Sequence, residues 1–393
     1  MKQYTVDKMR TVAVLGHSGS GKTTFMESVL YLSQTKPKKG SVEAKNTTGD
    51  FLPEEHERLA TLSTSLIPIE YQGYKFNFLD TPGSEEFVNE FYQALHIVKG
   101  AVLMVDGTKG MDIGTERVLN ELNAHHIPTV IYINKMDKQN IKFEGILEQI
   151  RSVIGKQAVP FLWPVGEADD FKGYVNLVDM KQKLRQGNDV TESDVSEALQ
   201  AEIEPHREKI VESVAETSEE LIEKYFAGET LTKEEIYTGL RQGVLDGNLK
   251  PVVLGSAEKD IGVLATLDII ARFMPAPNDL KAVTGKDPQT GETIERLTND
   301  DEPLSAYVFK TIVDPFMGAI NFIKVLSGVL KPGKEVYVPN IKETVKLGNL
   351  FTMRGKEQIS VDYLGAGDVG GVAKIDQLFT GATLSSQKQP ILF

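Results

Sequence analysis

A glycine-rich stretch, GHSGSGKT at residues 16–23, matches the pattern G-x-x-x-x-G-K-S/T of phosphate-binding loops. Glycines let backbone N–H groups curl around phosphate oxygens, and the N-terminus of a following helix adds positive potential. We expect Lys22 to reach the terminal phosphates and the Thr23 hydroxyl to ligate Mg²⁺. A chance glycine-rich loop is the alternative, which the flanking strand and helix patterns disfavour. The candidate phosphate-binding residues are Gly16, His17, Ser18, Gly19, Ser20, Gly21, Lys22, Thr23 and Thr24.

A second motif, DTPG at residues 80–83, lies where the apolar run FNFLD ends. Asp80 is suited to hold Mg²⁺ through a water molecule, and the Gly83 N–H is suited to sense a γ-phosphate. Taken alone, these four residues fit an ordinary turn at a strand end equally well. Their position after a phosphate loop favours the functional interpretation. The candidates in this motif are Asp80, Thr81, Pro82 and Gly83.

A third motif, NKMD at residues 134–137, also ends an apolar run and contributes Asn134, Lys135, Met136 and Asp137. The Asp137 carboxylate can accept two hydrogen bonds from guanine, at N1 and at the 2-amino group. Adenine lacks the 2-amino donor and would leave this carboxylate unpaired. An unpaired buried polar group makes base discrimination large, on the order of 10⁴-fold or more. The stem of Lys135 can lie on the purine ring.

The fourth and weakest motif is GSA at residues 255–257. The backbone of Ser256 and Ala257 can bind guanine O6, and a plain turn of small residues is the alternative. Its support is its position at the end of the last predicted strand of the series. In this order, the four motifs predict a site for GTP or GDP with Mg²⁺. They exclude most kinases and ATPases, which do not need the aspartate of NKMD.

The elements that position these motifs alternate between strands and helices. Apolar runs predict buried strands at 11–15, 76–80, 101–106, 129–134 and 251–257. Helical spacing of apolar residues lies between most of them, which predicts a parallel sheet covered on both faces. Residues 32–60 are polar, lysine-rich and aperiodic, and we expect a mobile loop there.

The alternation is interrupted in the middle of the chain, which predicts an α/β P-loop domain at residues 1–158 and 251–280 with an inserted α+β subdomain at 159–250. Within the insert, we expect an acidic helix over residues 205–226, with Pro205 in its first turn. Turn signals predict a linker at 281–300. Short strands separated by Gly and Pro predict an all-β barrel at 301–393.

Composition narrows the possible partners and compartment. The chain of 393 residues has a net charge of −13, with 14 acidic and 4 basic residues in 191–240. This balance argues against non-specific nucleic-acid binding, and we expect no DNA partner. Cysteine is absent, so disulfides and thiolate metal sites are excluded. With no long apolar run and no signal-peptide pattern, we expect a cytoplasmic protein without a membrane partner.

On these motifs the chain resembles elongation factor G, the ribosomal translocase, over essentially all of its length. The stretch TTGDFLPEEHERLAT is similar to the family's first switch segment, which implies that Thr61 ligates Mg²⁺ and closes over the γ-phosphate. VPFLWPVGEADDFKGYVNLVDM resembles the family's insert, and DPFMGAINFIKVLSGVLKPGKEVY resembles its second domain. The 117 residues between Asp137 and Gly255 exceed the gap in the tRNA-carrying elongation factor. The resemblance therefore implies a GTPase domain with an insert, followed by a translation-factor barrel.

Two positions depart from the family pattern. The family's catalytic histidine after DTPG is Ser84 here, and the aspartate usual in the phosphate loop is Gly19. Both departures suggest a divergent elongation factor G-like paralogue. The resemblance implies that Lys22, Thr61, Gly83 and the position of Ser84 carry the catalysis. Ser84 cannot supply an imidazole charge, and none of the six histidines replaces it by sequence, although His17 and His56 are nearest to the site.

Two functional hypotheses remain open at this point. In the first, the chain is a GTPase that hydrolyses GTP on the ribosome. In the second, which Ser84 favours, it is a GTP-dependent ribosome-binding regulatory or protection module with slow hydrolysis. The resemblance implies contacts with ribosomal RNA and, through the acidic insert, with the ribosomal stalk protein; a solvated helix face is the alternative for the insert. We expect a monomer, and a parent protein with further domains after residue 393.

Overall fold

The structure, a computed structural model, describes residues 1–187, 189–279, 281–314 and 318–393. Asn188, Leu280 and residues 315–317, which fall in the predicted insert, P-loop domain and barrel, lie outside the described residues. The described strands are β1 (Met9–Leu15), β2 (Ser65–Tyr71), β3 (Tyr74–Asp80), β4 (Gly100–Asp106), β5 (Thr129–Asn134), β6 (Ala158–Pro160), β7 (Leu162–Val165), β8 (Gly173–Asn176), β9 (Lys181–Gln186), β10 (Asp189–Asp194), β11 (Lys250–Leu254), β12 (Val283–Lys286), β13 (Thr293–Arg296), β14 (Ser305–Asp314), β15 (Gly318–Ser327), β16 (Glu335–Val338), β17 (Glu343–Lys346), β18 (Leu350–Arg354), β19 (Glu357–Ser360), β20 (Val369–Ala373) and β21 (Thr383–Ser385). The described α-helices are α1 (Lys22–Leu32), α2 (Pro53–Arg58), α3 (Val88–Ile97), α4 (Ile113–Ala124), α5 (Phe143–Ile154), α6 (Glu197–Ala215), α7 (Glu219–Phe226), α8 (Lys233–Leu245) and α9 (Val263–Phe273).

The first sheet carries the predicted motifs at one edge. Its described strands follow the order β2-β3-β1-β4-β5-β11-β6, and each pairing is parallel except that of β2 with β3. β1, β4, β5 and β11 are buried along their whole length, as expected for a sheet covered on both faces. Because carboxyl ends of parallel strands meet at one edge, the loops after β1, β3, β5 and β11 converge.

The five strands predicted for this sheet are confirmed, with β11 ending at Leu254 rather than at residue 257, whereas β2 and β6 were not predicted. Pro68 lies in the middle of β2, where it argues against a central strand. β2 is the edge strand of the sheet, the position in which proline is tolerated, and Pro68 lies opposite Asn77. The aperiodic stretch 32–60 begins at the last residue of α1 and contains α2, and its remaining described residues form loops and turns.

The insert contains the described antiparallel sheet β10-β9-β8-β7 with the helices α6, α7 and α8. The prediction of one helix starting near Pro205 is wrong. Ser196 accepts a hydrogen bond from the Leu199 N–H and caps α6 eight residues earlier, so Pro205 lies inside that helix. A second cap, Ser218, starts α7. An interior proline removes one helix hydrogen bond and its ring clashes with the carbonyl four residues earlier, so α6 tolerates a local cost at Pro205. Ile203 and Ile210, on either side of it, are buried.

The C-terminal region forms the predicted barrel domain. Its described strands follow the order β17-β16-β21-β14-β15-β20-β18-β19, all antiparallel, around a second apolar core that includes Val308 and Ile323. The short antiparallel pair β12–β13 precedes it within the predicted linker. The predicted fold class is confirmed. Among the described residues, no helix is long and apolar enough to cross a membrane.

Candidate functional site

The loop between β1 and α1 adopts a backbone that two of its glycines make possible. Gly21 has φ +92°, and a Cβ there would lie 2.2 Å from Nδ2 of Asn134. Gly16 has φ +145°, and a Cβ there would lie 2.5 Å from the Met104 carbonyl oxygen. Side chains at either position would therefore collide with strand ends of the first sheet. The loop lies against the carboxyl ends of β4 and β5, directly before the N-terminus of α1.

Lys22 is buried under this loop, where its Nζ donates to the carbonyl oxygens of Gly16 at 2.9 Å and His17 at 3.2 Å. The DTPG turn approaches so closely that a Cβ on Gly83 would lie 2.3 Å from the same Nζ. Burial lowers the pKa of Lys22, and the carboxylates of Asp80 and Asp50 oppose that shift. A side chain at Gly83 would thus fill the space in front of the phosphate loop.

Oxygen atoms suited to a hard cation meet beside Lys22. Thr23 Oγ1 lies 3.1 Å from Thr61 Oγ1, which also donates to Asp50 Oδ1 at 2.7 Å. Asp80 is fully buried, and neither of its carboxylate oxygens has a hydrogen-bond partner within the described residues. Burial and the nearby Asp50 raise the pKa of Asp80. Two threonine hydroxyls in contact, with the Asp80 carboxylate close to Thr23, fit Mg²⁺, which prefers oxygen ligands.

The NKMD and GSA loops are joined by Asn134. Its Nδ2 donates to the Ser20 carbonyl at 2.9 Å, and its Oδ1 accepts from the Ala257 N–H at 2.9 Å. The side chain thereby links the phosphate loop to the base-binding end of the site. The Met136 side chain is buried in the apolar core, and its N–H donates to the Gly255 carbonyl at 3.1 Å.

Asp137 is buried at the base-binding end. Its Oδ1 has no partner among the described residues, and its Oδ2 lies 3.3 Å from Nζ of Lys138. Burial raises the pKa of Asp137, but the Ser256 hydroxyl and the Lys138 charge outweigh this and lower it overall. The group is therefore a carboxylate at neutral pH with an open acceptor, which suits a ligand with paired N–H donors.

Lys135 is held in an extended position between two loops. Its Nζ donates to the Gly19 carbonyl at 2.8 Å and pairs with Asp106 Oδ2 at 2.7 Å. Asp106 in turn accepts from the N–H and the hydroxyl of Thr108. The stem of Lys135 is thus fixed across the region where a purine ring is expected.

Ten of the 21 predicted site residues line one cavity of about 570 Å³, which also includes Leu62 and Lys138. The ten are Ser18, Gly19, Gly21, Lys22, Thr23, Thr24, Thr61, Gly83, Ser84 and Lys135. Thr81 and Pro82 are buried, and the Thr81 hydroxyl donates to the Val14 carbonyl at 2.9 Å. That bond attaches the DTPG turn to β1.

Comparison with known proteins adds independent support. The family model "Elongation factor Tu GTP binding domain" matches residues 7–276, and "Elongation factor G domain 2" matches residues 303–387. The chain belongs to the translational GTPases of the elongation factor G type. A crystal structure of a protein from Thermus thermophilus matches 98% of this chain with a TM-score of 0.86 and 32% sequence identity. The match covers 55% of that protein, so the present chain spans about half of its length.

Position 84 of this chain is a serine, where the family resemblance implies a histidine. Its Oγ accepts from the Glu86 N–H at 3.4 Å and caps the short turn Glu85–Phe87. His17, on the phosphate loop, lines a second cavity of about 50 Å³ together with Ser84. The His17 ring is turned toward α4, where its Nδ1 lies 2.7 Å from Asp112 Oδ2. His56 is bonded through Nε2 to the Asp50 carbonyl at 3.0 Å.

Three acidic residues that shape the site were missed from the sequence. Asp50 contacts Thr61, and Asp106 holds Lys135. The buried Glu55 accepts from the N–H groups of Leu62 at 3.0 Å and Ser63 at 3.3 Å, and so fixes the backbone next to Thr61. No short motif records these contacts. The spacing E-x-x-R-x-x-T in the first switch segment is the one sequence signal that could have drawn attention to Glu55.

Proposed function

We propose that this chain binds GTP and GDP with Mg²⁺ and hydrolyses GTP on the ribosome. The observation that carries this proposal is the buried Asp137 carboxylate, which has an oxygen without a partner among the described residues and contacts Lys138, a residue that lines the phosphate-loop cavity. Guanine presents the two adjacent donors that this acceptor requires, and adenine does not. Membership of the translational GTPases supports the ribosome as the place of action.

Mg²⁺ would be held by Thr23, Thr61 and Asp80, whose oxygens meet beside Lys22. When bound, the ion would neutralise charge on the β- and γ-phosphates. Lys22 and the backbone N–H groups of the loop would bind the phosphate oxygens, and the Gly83 N–H would contact the γ-phosphate. Thr61 would close over that end of the ligand.

Nucleotide competition tests the first half of the proposal. A fluorescent GDP bound to the chain should be displaced by GTP and GDP at micromolar concentrations, and ATP should fail at concentrations at least about 100-fold higher. Equal displacement by ATP would mean that the assignment of Asp137 to base recognition is wrong. Removal of Mg²⁺ with a chelator should weaken GTP binding.

A second candidate function is a GTP-dependent ribosome-binding module with slow hydrolysis, used for regulation or protection. The Ser84 side chain favours it, because a hydroxyl that caps a turn brings no charge to the attacking water. Turnover of GTP by the chain, with and without ribosomes, separates the two. Stimulation by ribosomes to several turnovers per second supports the enzyme, and a flat rate supports the binding module.

The partners in this proposal are ribosomal RNA and the ribosomal stalk protein. The proposal also includes a monomeric protein that contacts these partners in the cytoplasm. The acidic helices α6 and α7 are the proposed contact for the stalk protein, since acidic residues concentrate there outside the nucleotide site.

A further inference from the structure

Lys310 of the barrel domain reaches a segment that borders the nucleotide site. It lies on β14, and its Nζ donates to Ser63 Oγ at 2.6 Å and to the Thr64 carbonyl at 3.2 Å. It also pairs with Glu90 Oε2 at 2.8 Å, with only 11% of the lysine side chain and 20% of the glutamate side chain exposed. The Lys310 ammonium group therefore donates three hydrogen bonds to two segments of the GTPase domain.

Glu90, which follows the DTPG turn in the chain, joins the same junction. It lies in α3, six residues after Ser84, and its Oε2 also accepts from the Thr64 N–H at 2.6 Å. Burial raises the pKa of Glu90, but the Lys310 charge and the bonds from Thr64 outweigh this and lower it. The pair is therefore ionised at neutral pH, and it ties β14, α3 and residues 63–64 together.

Thr61, a residue of the nucleotide site, lies two residues before this junction in the chain. The two N–H groups that follow it, those of Leu62 and Ser63, are bonded to Glu55. The junction then holds Ser63 through its hydroxyl and Thr64 through both backbone groups. Because Leu62, Ser63 and Thr64 are all held by hydrogen bonds, the position of the adjacent Thr61 relative to the nucleotide site is restricted as well.

The barrel contacts the same stretch of chain at a second place. In the turn between β18 and β19, the Gly355 N–H donates to the Leu66 carbonyl at 3.4 Å. A Cβ at Gly355 would lie 1.9 Å from the Thr48 carbonyl oxygen. Because the barrel meets the chain on both sides of Thr61, a shift of the barrel must move this segment or break these contacts.

We propose that Lys310 is a positioning residue that couples the placement of the barrel domain to the placement of Thr61 over the γ-phosphate. This rests on the proposed function, in which Thr61 contacts Mg²⁺ and the γ-phosphate. GDP has no γ-phosphate, so the coupling acts on GTP affinity and leaves GDP affinity nearly unchanged. By linkage, GTP binding also strengthens the docking of the barrel.

The test compares dissociation constants of GTPγS and GDP for the 393-residue chain in saturating Mg²⁺. Lys310→Met should raise the dissociation constant for GTPγS about tenfold, since hydrogen bonds to charged groups contribute on this order. The dissociation constant for GDP should stay within about twofold. Glu90→Gln keeps an acceptor for the Thr64 N–H and removes the charge, and it should shift the ratio in the same direction by about threefold.

Lys75→Met is the matched control. Lys75 on β3 pairs with Asp368 of the barrel at 2.7 Å, with 4% and 7% of the side chains exposed, so its ion pair joins the two domains away from residues 61–64. It should lower the melting temperature without changing the GTPγS to GDP ratio. An unchanged ratio in Lys310→Met, or an equal change in Lys75→Met, overturns the proposal. If Lys310→Met does not fold, Glu90→Gln decides, and a wild-type chain that binds neither nucleotide contradicts the proposed function itself.

Discussion

At the scale of single residues, Asp137 combines burial with an oxygen that has no partner among the described residues. Such an arrangement costs free energy unless a ligand supplies the donor. We therefore expect Asp137→Asn to weaken GTP binding on the order of 100-fold or more and to favour xanthine nucleotides, whose C2 oxygen accepts from an amide N–H. Competition of GTP and XTP against a fluorescent nucleotide measures the shift.

Glu258→Gln is the control for that experiment, because Glu258 is an exposed carboxylate that pairs with the neighbouring Lys138 at 3.0 Å. Its loss should change GTP affinity by less than about twofold. If Asp137→Asn keeps its preference for GTP over XTP, another group selects the base.

Ser84 supports a second prediction at this scale. Its hydroxyl caps a turn at 3.4 Å and carries no charge, so its removal in Ser84→Ala should change ribosome-stimulated hydrolysis less than about threefold. Ser84→His should raise the stimulated rate by at least about tenfold, since charged groups at the transferred phosphate contribute about 10³ to 10⁵ in related enzymes. Single-turnover GTP hydrolysis by the protein with ribosomes measures both. A fast wild type that loses activity in Ser84→Ala would make Ser84 part of the catalytic apparatus.

The residues found from the sequence and those missed differ in how local their contacts are. Gly16, Lys22 and Asp137 lie in motifs of a few letters, where the chemistry is encoded in adjacent residues. Asp50 and Asp106 act through partners that fold back from other parts of the chain, namely Thr61 and Lys135. No short pattern records such a pairing.

At the scale of elements, the acidic helices α6 and α7 present most of their carboxylates to solvent. We expect the triple change Glu212→Lys, Glu216→Lys and Glu223→Lys to weaken stalk-dependent stimulation several-fold and to leave GDP affinity unchanged. Glu219 is left intact, because it lies in the first turn of α7, where an acid stabilises the helix by about 0.3–1 kcal/mol. GTP hydrolysis with and without purified stalk protein measures the effect.

A control for surface charge reverses three exposed acids outside these helices and away from the nucleotide site: Glu295, Glu335 and Glu343. Loss of stimulation in both triple variants would assign the effect to net charge. Normal stimulation in the α6–α7 variant would identify these helices as a solvated face.

Strands were predictable where an apolar run agreed with the turn residues that flank it. The strands β1, β4, β5 and β11 are apolar runs bounded by turn residues. Their residues are apolar because these strands are buried on both faces of the sheet. β2 was missed because Pro68 is permitted only by its edge position, which depends on the order of the whole sheet. The start of α6 was misplaced for a similar reason: the proline suggested a first turn, but the Ser196 cap lay upstream.

At the scale of the whole molecule, a buried polar cluster joins the first sheet to the barrel. Lys324 on β15 donates to Thr11 Oγ1 at 2.9 Å and to the Gly367 carbonyl at 2.5 Å. The ion pair between Lys75 and Asp368 lies beside it, and Lys99 adds a third cation. Apolar barrel residues such as Phe351 and Val369 extend the core of the GTPase domain around this cluster. Domain docking therefore places several charged groups out of contact with water.

This burial makes the stability of the molecule depend on pH. Burial, with the repulsion of Lys99, lowers the pKa of Lys324 to about 7 from its ordinary value of 10.5. Between these two values the unfolded chain holds the proton more tightly than the folded one, so stability rises with pH by up to about 1.4 kcal/mol per unit from this group. Lys324→Met should remove that part of the slope between about pH 7 and pH 9, whereas the exposed control Lys331→Met should keep it. Urea unfolding at several pH values measures the slope, and an unaltered slope in Lys324→Met would show that the Lys324 ammonium keeps its proton inside the folded interface.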